Sequence, residues 1–592
     1  MFFTEYDPLT AEYVDQTVTE RGRASGETCA DAAGLRFTAR LSGDYAPEEL
    51  RYRILDGEKL EVTENGVTCT VPYTALRQGP ILLLTHLIPG TSRGWHLVLN
   101  TETWALTAFE TWFGVTVPVG IDLTGKKTEP DGWRDVPREI QREYWFGWAD
   151  TGENAQPDEL PACTNRMEGR GLHWQYDTGY ELLTFSPSVI CTTLVELGKE
   201  MGGITMTNPA DYIRLDDRRY IFARWEVEFS GKMWLEVLDF FDMTAMGAEF
   251  GFEADNSLTY RTHRAALEVT GDVAHMEKIT DLGKERPVMP HMKSKKGARY
   301  AYRPMDIDIP MPREEALCHA KRAQRILAAP GENFMASFNC LPPCRDLIGR
   351  RFRVVPDREK YAAAPWSGKD RAETAWEYEI LSGDRLRWRR GEGVWQEEKY
   401  ACFESDTHLY FLAHMETGAA DYAMVAQAMD FDNGLTTTVR TGIGNWRSEW
   451  ESGADVAFGT LDAPGVTPPF TRRHCFTDEL VGCCFSWTYS DTMCSIHVYS
   501  APESLSWTIF KQDNGGGATW SSPGFYIKLR PDVYMLNWIE EKCNGSQGLV
   551  IINRKIQHDS GYFYGVTHDG LRLETTGAYM RDLGRFDIRK YF

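Results

Sequence analysis

No stretch of this sequence is apolar for long enough to cross a bilayer. The longest run, Pro80 to Leu84 with Leu87 and Ile88 beyond His86, falls far short of the ~20 residues a spanning helix needs. Basic residues are in the minority: 64 Lys and Arg stand against 86 Asp and Glu, a formal charge of −22. Nucleic acid and anionic membrane both need clustered positive charge, so neither is expected as a partner. No Cys-x-x-Cys pair occurs among the 13 cysteines. The opening segment, MFFTEYDPLTAEYVDQ, has neither the basic nor the long apolar region of an export signal. The cysteines are therefore read as reduced thiols in a cytoplasmic protein. His86 and His414 have no second His, Cys or carboxylate beside them at ligand spacing, so no metal and no cofactor are expected. GIDLTGKK (Gly120 to Lys127) falls short of a phosphate-binding loop because Lys127 replaces the required Ser or Thr.

What the chain has in abundance is repetition. From Tyr212 and Tyr526 two segments run 28 positions without a gap at an offset of 314. Tyr212/Tyr526, Ile213/Ile527, Leu215/Leu529, Tyr220/Tyr534, Glu226/Glu540, Gly231/Gly545 and Leu235/Leu549 coincide, against roughly two matches expected from composition. Upstream, Gly169/Gly482, Trp174/Trp487 and Tyr176/Tyr489 match at offset 313. Nearer each start, Cys29/Cys344, Gly34/Gly349, Phe37/Phe352, Tyr52/Tyr378, Leu84/Leu412 and His86/His414 pair in the same order. The chain is a duplication of a unit of about 290 residues.

Each unit reads as two modules of short alternating strands, with DG, SGD, DNG, CNGS and HDG turns between them. About eight such strands in ~120 residues suit a closed barrel, which leaves no exposed edge. The expected fold is all-β: four tandem lipocalin-like antiparallel barrels in two homologous halves. The boundaries are 1–155 and 156–290 for the first two barrels and 336–470 and 471–592 for the others. A linker, 291–335, is Pro-rich at first and then helical over Glu314 to Gly331, where apolar residues recur at helical spacing.

The C-terminal module, LVGCCFSWTY…YIKLRPDVYMLNWIEE…GLVIINRKIQHDSGYFYG, resembles the barrel of the bacterial phenolic acid decarboxylases. It resembles more closely the two-barrel proteins known as molybdenum cofactor biosynthesis protein F, and WEYEILSGDRLRWRRGEGVWQEEKY resembles their N-terminal barrel. No molybdenum ligand or pterin site accompanies the likeness. The decarboxylase resemblance implies roles: paired tyrosines and an arginine hold a phenolic acid, and a glutamate in a Trp-x-Glu strand moves a proton. Tyr489 and Glu540 fall on one tyrosine and the glutamate, with Trp487 at the other tyrosine position and Trp538 opening the strand motif. In the first half Trp174, Tyr176 and Glu226 match. The family's arginine has no counterpart, since Thr519 precedes Trp520 where it is expected.

A glutamate desolvated inside a barrel has a raised pKa, and a tyrosine can stabilise charge on a phenol or enolate oxygen. The candidate proton-transfer groups are Glu540 and Tyr489 in one half, Glu226 and Tyr176 in the other. His86 and His414 join them, since each recurs mid-strand in an apolar run (LLLTHLI and YFLAHME). Trp487, Trp538, Trp174, Tyr378 and Tyr52 are expected to line the pockets, a setting for a flat aromatic ligand. The expected function is a cofactor-independent lyase or isomerase acting on a small aromatic or phenolic compound. A non-catalytic binding protein, or one catalytic half beside a scaffold half, is the alternative. The expected state is a monomer or small homo-oligomer.

Overall fold

A computed structural model describes residues 24–25, 30–43, 46–89, 91, 93–114, 139–164, 166–188, 191–198, 205–225, 232–252, 258–273, 339–357, 374–443, 452–490, 493–511, 519–540, 546–567 and 570–592. They form four closed antiparallel barrels of eight strands, spanning 36–150, 170–272, 351–462 and 483–585. The described residues up to 273 make one compact unit with two barrels, and those from 339 onward make a second with the other two. The expected helix, Glu314 to Gly331, and the Pro-rich segment before it lie outside the described residues. Helical structure among the described residues consists of two short turns, Ala30–Ala32 and Arg589–Tyr591.

The halves share details finer than strand count. A two-residue strand, Ala162–Cys163, pairs with Thr205–Arg214 outside the second barrel, and Cys475–Phe476 pairs with Thr519–Arg530 outside the fourth. Gly169 and Gly482 open the equivalent barrels with φ of +86° and +88°. A Cβ at either would sit 2.5 Å from the Val273 carbonyl oxygen or 2.3 Å from that of Phe586, so both conformation and space demand glycine.

Within each unit the barrels pack flank to flank, which explains the apolar runs. In strand Ile81–Leu87, Leu82 and Leu84 join the core inside the first barrel. Ile81 and Leu83 pack outward against Ile213, Ile221, Leu235 and Val237 of the second. Leu409–Met415 repeats this: Tyr410 and Leu412 face the third barrel's core, while Phe411 and Ala413 meet Ile527, Met535 and Tyr562 of the fourth. A strand buried on both faces loses its polar alternation and reads as continuous hydrophobicity. The interfaces also carry partly buried ion pairs. Arg142 Nε donates to Asp211 across 2.8 Å in the first unit; Arg530 Nε donates to Asp430 across 2.8 Å in the second.

Candidate functional site

In a closed barrel, side chains on strands that are not neighbours meet only through the lumen. Three hydrogen-bonded sets that include a histidine meet that criterion. In the first barrel Tyr52, on Leu50–Ile54, reaches His86, on Ile81–Leu87, with its hydroxyl 3.1 Å from Nε2. In the third, Tyr378 on Trp376–Ile380 reaches His414 at 3.2 Å. His86 Nδ1 lies 3.3 Å from the Leu87 carbonyl oxygen, and His414 Nδ1 lies 2.8 Å from that of Met415. The hydrogen-bond network therefore assigns the proton to Nδ1 and leaves Nε2 to accept from tyrosine. Burial pushes both imidazoles down to about 4, so both are neutral at physiological pH. Gln427 Nε2 donates to the Tyr378 oxygen at 3.0 Å and Thr438 donates to Gln427 at 2.7 Å. The register puts Leu97 and Ala108 at those positions of the first barrel, which lacks this extension. Each expected histidine is thus joined to an expected pocket tyrosine, in arrangements whose hydrogen bonds are internally satisfied.

The second barrel holds the ionised set. Tyr176, on Arg170–Tyr176, donates its hydroxyl to Glu236 Oε1 at 2.9 Å. His263, on Leu258–Asp272, donates from Nε2 to Glu236 Oε2 at 3.0 Å. Glu236 is completely buried, and His263 and Arg224 nearly so. Burial alone would push the Glu236 carboxyl up. His263, Arg224 and Tyr176 outweigh it and hold the group below the ordinary carboxylate value. Burial would likewise push His263 down, but Glu236 outweighs it and keeps the imidazole protonated above its ordinary value. Arg224, on Arg219–Trp225, lies 4.1 Å over the Trp234 ring and forms no ion pair among the described residues. Gly247 makes the room: a Cβ there would sit 2.5 Å from His263 Nε2 and 2.8 Å from Glu236 Oε2. Trp174 stacks on Tyr176 with centroids 6.1 Å apart and donates its indole N–H to Thr184 Oγ1 at 2.8 Å. Within this set two cations face one anion, and Glu249, which also acts on His263, is paired with Lys232, an arrangement suited to an anionic group on a flat ring.

The fourth barrel answers the same positions differently. The register sets Val550, Thr576 and Trp538 where the second barrel has Glu236, His263 and Arg224. Its lumen is aromatic: Trp487, Tyr489 and Trp538 are buried, and the His497 ring meets Trp538 with centroids 6.2 Å apart. Tyr499 meets Tyr526 at 5.6 Å. Asp559 is buried there too, accepting the Ala578 N–H at 2.7 Å, and burial pushes its carboxyl up to about 8. Glu540 ends strand Val533–Glu540, but its side chain is outside the described set, and Glu226 lies outside the described residues altogether. Among the described residues no group of three or more His, Cys, Asp and Glu is placed to hold a metal ion.

Sequence reasoning missed Glu236, His263, Arg224, His497, Tyr499 and Asp559. Matches between the halves mark shared positions, whereas Glu236/Val550, His263/Thr576 and Arg224/Trp538 are differences at inward positions. An inward charge present in one half and absent from the other was the available signal.

Comparisons with known proteins bear on the fold. Residues 474–585 match the family model described as the MoaF C-terminal domain, the kind of domain the sequence resembles there. No curated protein matches. Four solved chains do, and one is the crystal structure of a Burkholderia vietnamiensis protein described as a proposed beta-lactamase. It is 14% identical over 17% of this chain and 94% of its own, with a TM-score of 0.15.

Proposed function

We propose that the protein is a cofactor-independent lyase or isomerase for a small aromatic or phenolic compound, with its proton-transfer site in the second barrel. One observation carries the reading: a buried Tyr176–Glu236–His263 chain beside a buried arginine with no ionic partner among the described residues. His263 Nε2 is committed to Glu236, while Nδ1 makes no hydrogen bond among the described residues. In this reading the imidazolium, held charged by Glu236, lends its Nδ1 proton to a substrate carbon or oxygen and takes one back. Tyr176, whose one hydroxyl hydrogen goes to Glu236, holds that carboxylate in place, and Arg224 holds the carboxylate or phenolate on which charge develops. Proton donation and return need no redox partner. The expected weight thus moves from Tyr489 and Glu540 to Tyr176 in the first half, and the second half becomes the scaffold or binding half. A cytoplasmic location and a monomeric or small homo-oligomeric state belong to the same reading.

The test incubates the protein in deuterated water with a panel of phenolic acids, catechols and flavonoid-like compounds, following ultraviolet spectra and deuterium uptake. Turnover or exchange is expected, reduced by ~10²-fold or more in Glu236→Gln and His263→Gln, the usual scale for losing an acid–base group. Tight binding with neither turnover nor exchange would make the protein a carrier instead.

A further inference from the structure

The fourth barrel carries a second feature, independent of the chemistry assigned to the second. Four polar atoms on two neighbouring strands, Cys483–Ser490 and Met493–Ala501, are buried without a well-formed hydrogen bond: Trp487 Nε1, Ser495 Oγ, His497 Nδ1 and Tyr499 OH, the Trp487 indole lying close enough to the Tyr499 hydroxyl to interact with it. The register pairs Trp487 with Ser495 and Phe485 with His497, which puts all four on one face. That face is the lumen, because His497 meets Trp538 and Tyr499 meets Tyr526, both on strands that do not adjoin their own. A buried polar group left unpaired costs about 1–3 kcal/mol; even with the Trp487 indole turned to Tyr499, Ser495 Oγ and His497 Nδ1 on the same face have no partner and call for an occupant.

The second barrel shows what satisfaction looks like at the same positions. There Trp174 donates to Thr184, and Tyr212 donates to Ser186 Oγ at 2.8 Å. Thr184 and Ser186 stand at the register of His497 and Tyr499. Replacing two small hydroxyl residues by His and Tyr removed the internal partners and left open groups around an aromatic lumen. The set also selects the occupant's charge. His497 is driven down to about 3 by burial and is neutral, and the Asp559 carboxyl is uncharged below about 8. Among the described residues no charged side chain takes the places of Glu236, His263 and Arg224, so an ionised ligand would lose its hydration there without compensation. An indole N–H only donates, whereas a neutral imidazole nitrogen and a tyrosine hydroxyl can accept.

We propose that the fourth barrel is a second ligand site, for an uncharged phenol-type compound whose ring stacks among Trp487, Trp538 and Tyr526. Its hydroxyl accepts from the Trp487 indole N–H and donates to His497 Nδ1, with Tyr499 bonding a further oxygen or the same one.

Calorimetry on the full chain near pH 7 tests this with 4-ethylphenol and 3-(4-hydroxyphenyl)propanoate, which share a ring and differ in charge. 4-Ethylphenol should bind saturably and raise the melting temperature. Loss of one hydrogen bond should weaken it about tenfold in Trp487→Phe and in His497→Phe. Arg224→Met should leave 4-ethylphenol binding unchanged, and in that variant the propanoate should bind at least about tenfold more weakly than the phenol. The site is overturned if 4-ethylphenol does not bind at millimolar concentration, meaning that water alone fills the lumen. It is equally overturned if folded Trp487→Phe and His497→Phe both bind like wild type, or if Arg224→Met abolishes phenol binding. None of these outcomes depends on whether the second barrel is catalytic.

Discussion

Tyr378 gives its hydroxyl hydrogen to Nε2 of His414 across the third barrel's lumen, at 3.2 Å. The bond fixes the imidazole tautomer, and the Tyr52–His86 bond does the same in the first barrel at 3.1 Å. A histidine buried, neutral and bonded at both nitrogens is poorly placed to shuttle protons, but it makes the fold sensitive to acid.

His86 and His414 are pushed down to about 4 from an ordinary value near 6.5. Between those limits the unfolded chain binds protons that the folded chain refuses, so stability rises with pH across that window. Their contribution is fully present above about 6.5 and is lost as pH falls toward 4, on the order of 3 kcal/mol for each imidazole. Urea unfolding near pH 7 and near pH 5 should show a marked drop in midpoint. His414→Gln, which keeps an acceptor for Tyr378, should reduce the slope by its own share, with His86, His96, His474 and His497 still titrating. An unchanged pH slope in that variant would show that His414 is not one of the titrating groups.

The ion pair in the second barrel makes a separate prediction about stability. Glu236→Val alone leaves His263 and Arg224 buried without their nearest carboxylate, with Glu249 the next, and should cost about 3–5 kcal/mol. Adding His263→Thr reproduces the Val550 and Thr576 pairing that the fourth barrel accommodates. The double variant should be less destabilised than the sum of the single variants by about 1 kcal/mol or more. Denaturant unfolding of the four proteins measures this coupling, and simple additivity would mean that Glu236 and His263 do not act as a pair.

The barrels were legible because their physics is local and repeated. Turn residues punctuate strands at regular intervals, and Gly169 and Gly482 open equivalent barrels with the same left-handed φ. The Tyr–His pairs were half legible: His86, His414, Tyr52 and Tyr378 each stood out, but the contacts between them exist only once the strands close. Glu236 and His263 were hidden for the same reason. They lie in MWLEVLD and LTYRTHRAALEVTGD, 27 positions apart, and nothing local records their meeting. Glu226 and Glu540 were easier to find because they match each other, and a match between halves reports shared ancestry whether or not the chemistry is shared.

Glycine substitutions should separate strain from crowding. Gly34 and Gly482 have nearly the same φ, +86° and +88°, yet a Cβ at Gly34 meets nothing within 4 Å. Gly34→Ala should therefore cost about 1 kcal/mol, the conformational penalty alone. At Gly482 the Cβ would lie 2.3 Å from the Phe586 carbonyl oxygen and 3.2 Å from Ile588, so the chain end must shift. Gly482→Ala should cost several-fold more and lower the melting temperature accordingly; equal losses at the two sites would mean that the crowding is relieved at little cost.

Cys344 should be an unusually reactive thiol for one lying in a mainly reduced, buried set. Its backbone N–H donates to the Cys402 carbonyl oxygen at 2.8 Å, which brings the two residues together at the edge of the third barrel. The neighbouring Cys402 side chain lowers the Cys344 thiol from 9.0 to about 7, with the Asp346 backbone N–H adding to the effect against partial burial. Cys402 itself is fully buried and pushed up, so it stays a thiol, its S–H shared between Cys344 and the Phe403 carbonyl oxygen 3.9 Å away. Alkylation of Cys344 by iodoacetamide, read by peptide mass spectrometry, should rise through about pH 7 and level off above it, because the thiolate is the reacting species. Removing the donor in Cys402→Ala should move the midpoint upward toward the ordinary thiol value. A midpoint near 9 in the wild type, or one that does not move in Cys402→Ala, would remove Cys402 as the cause.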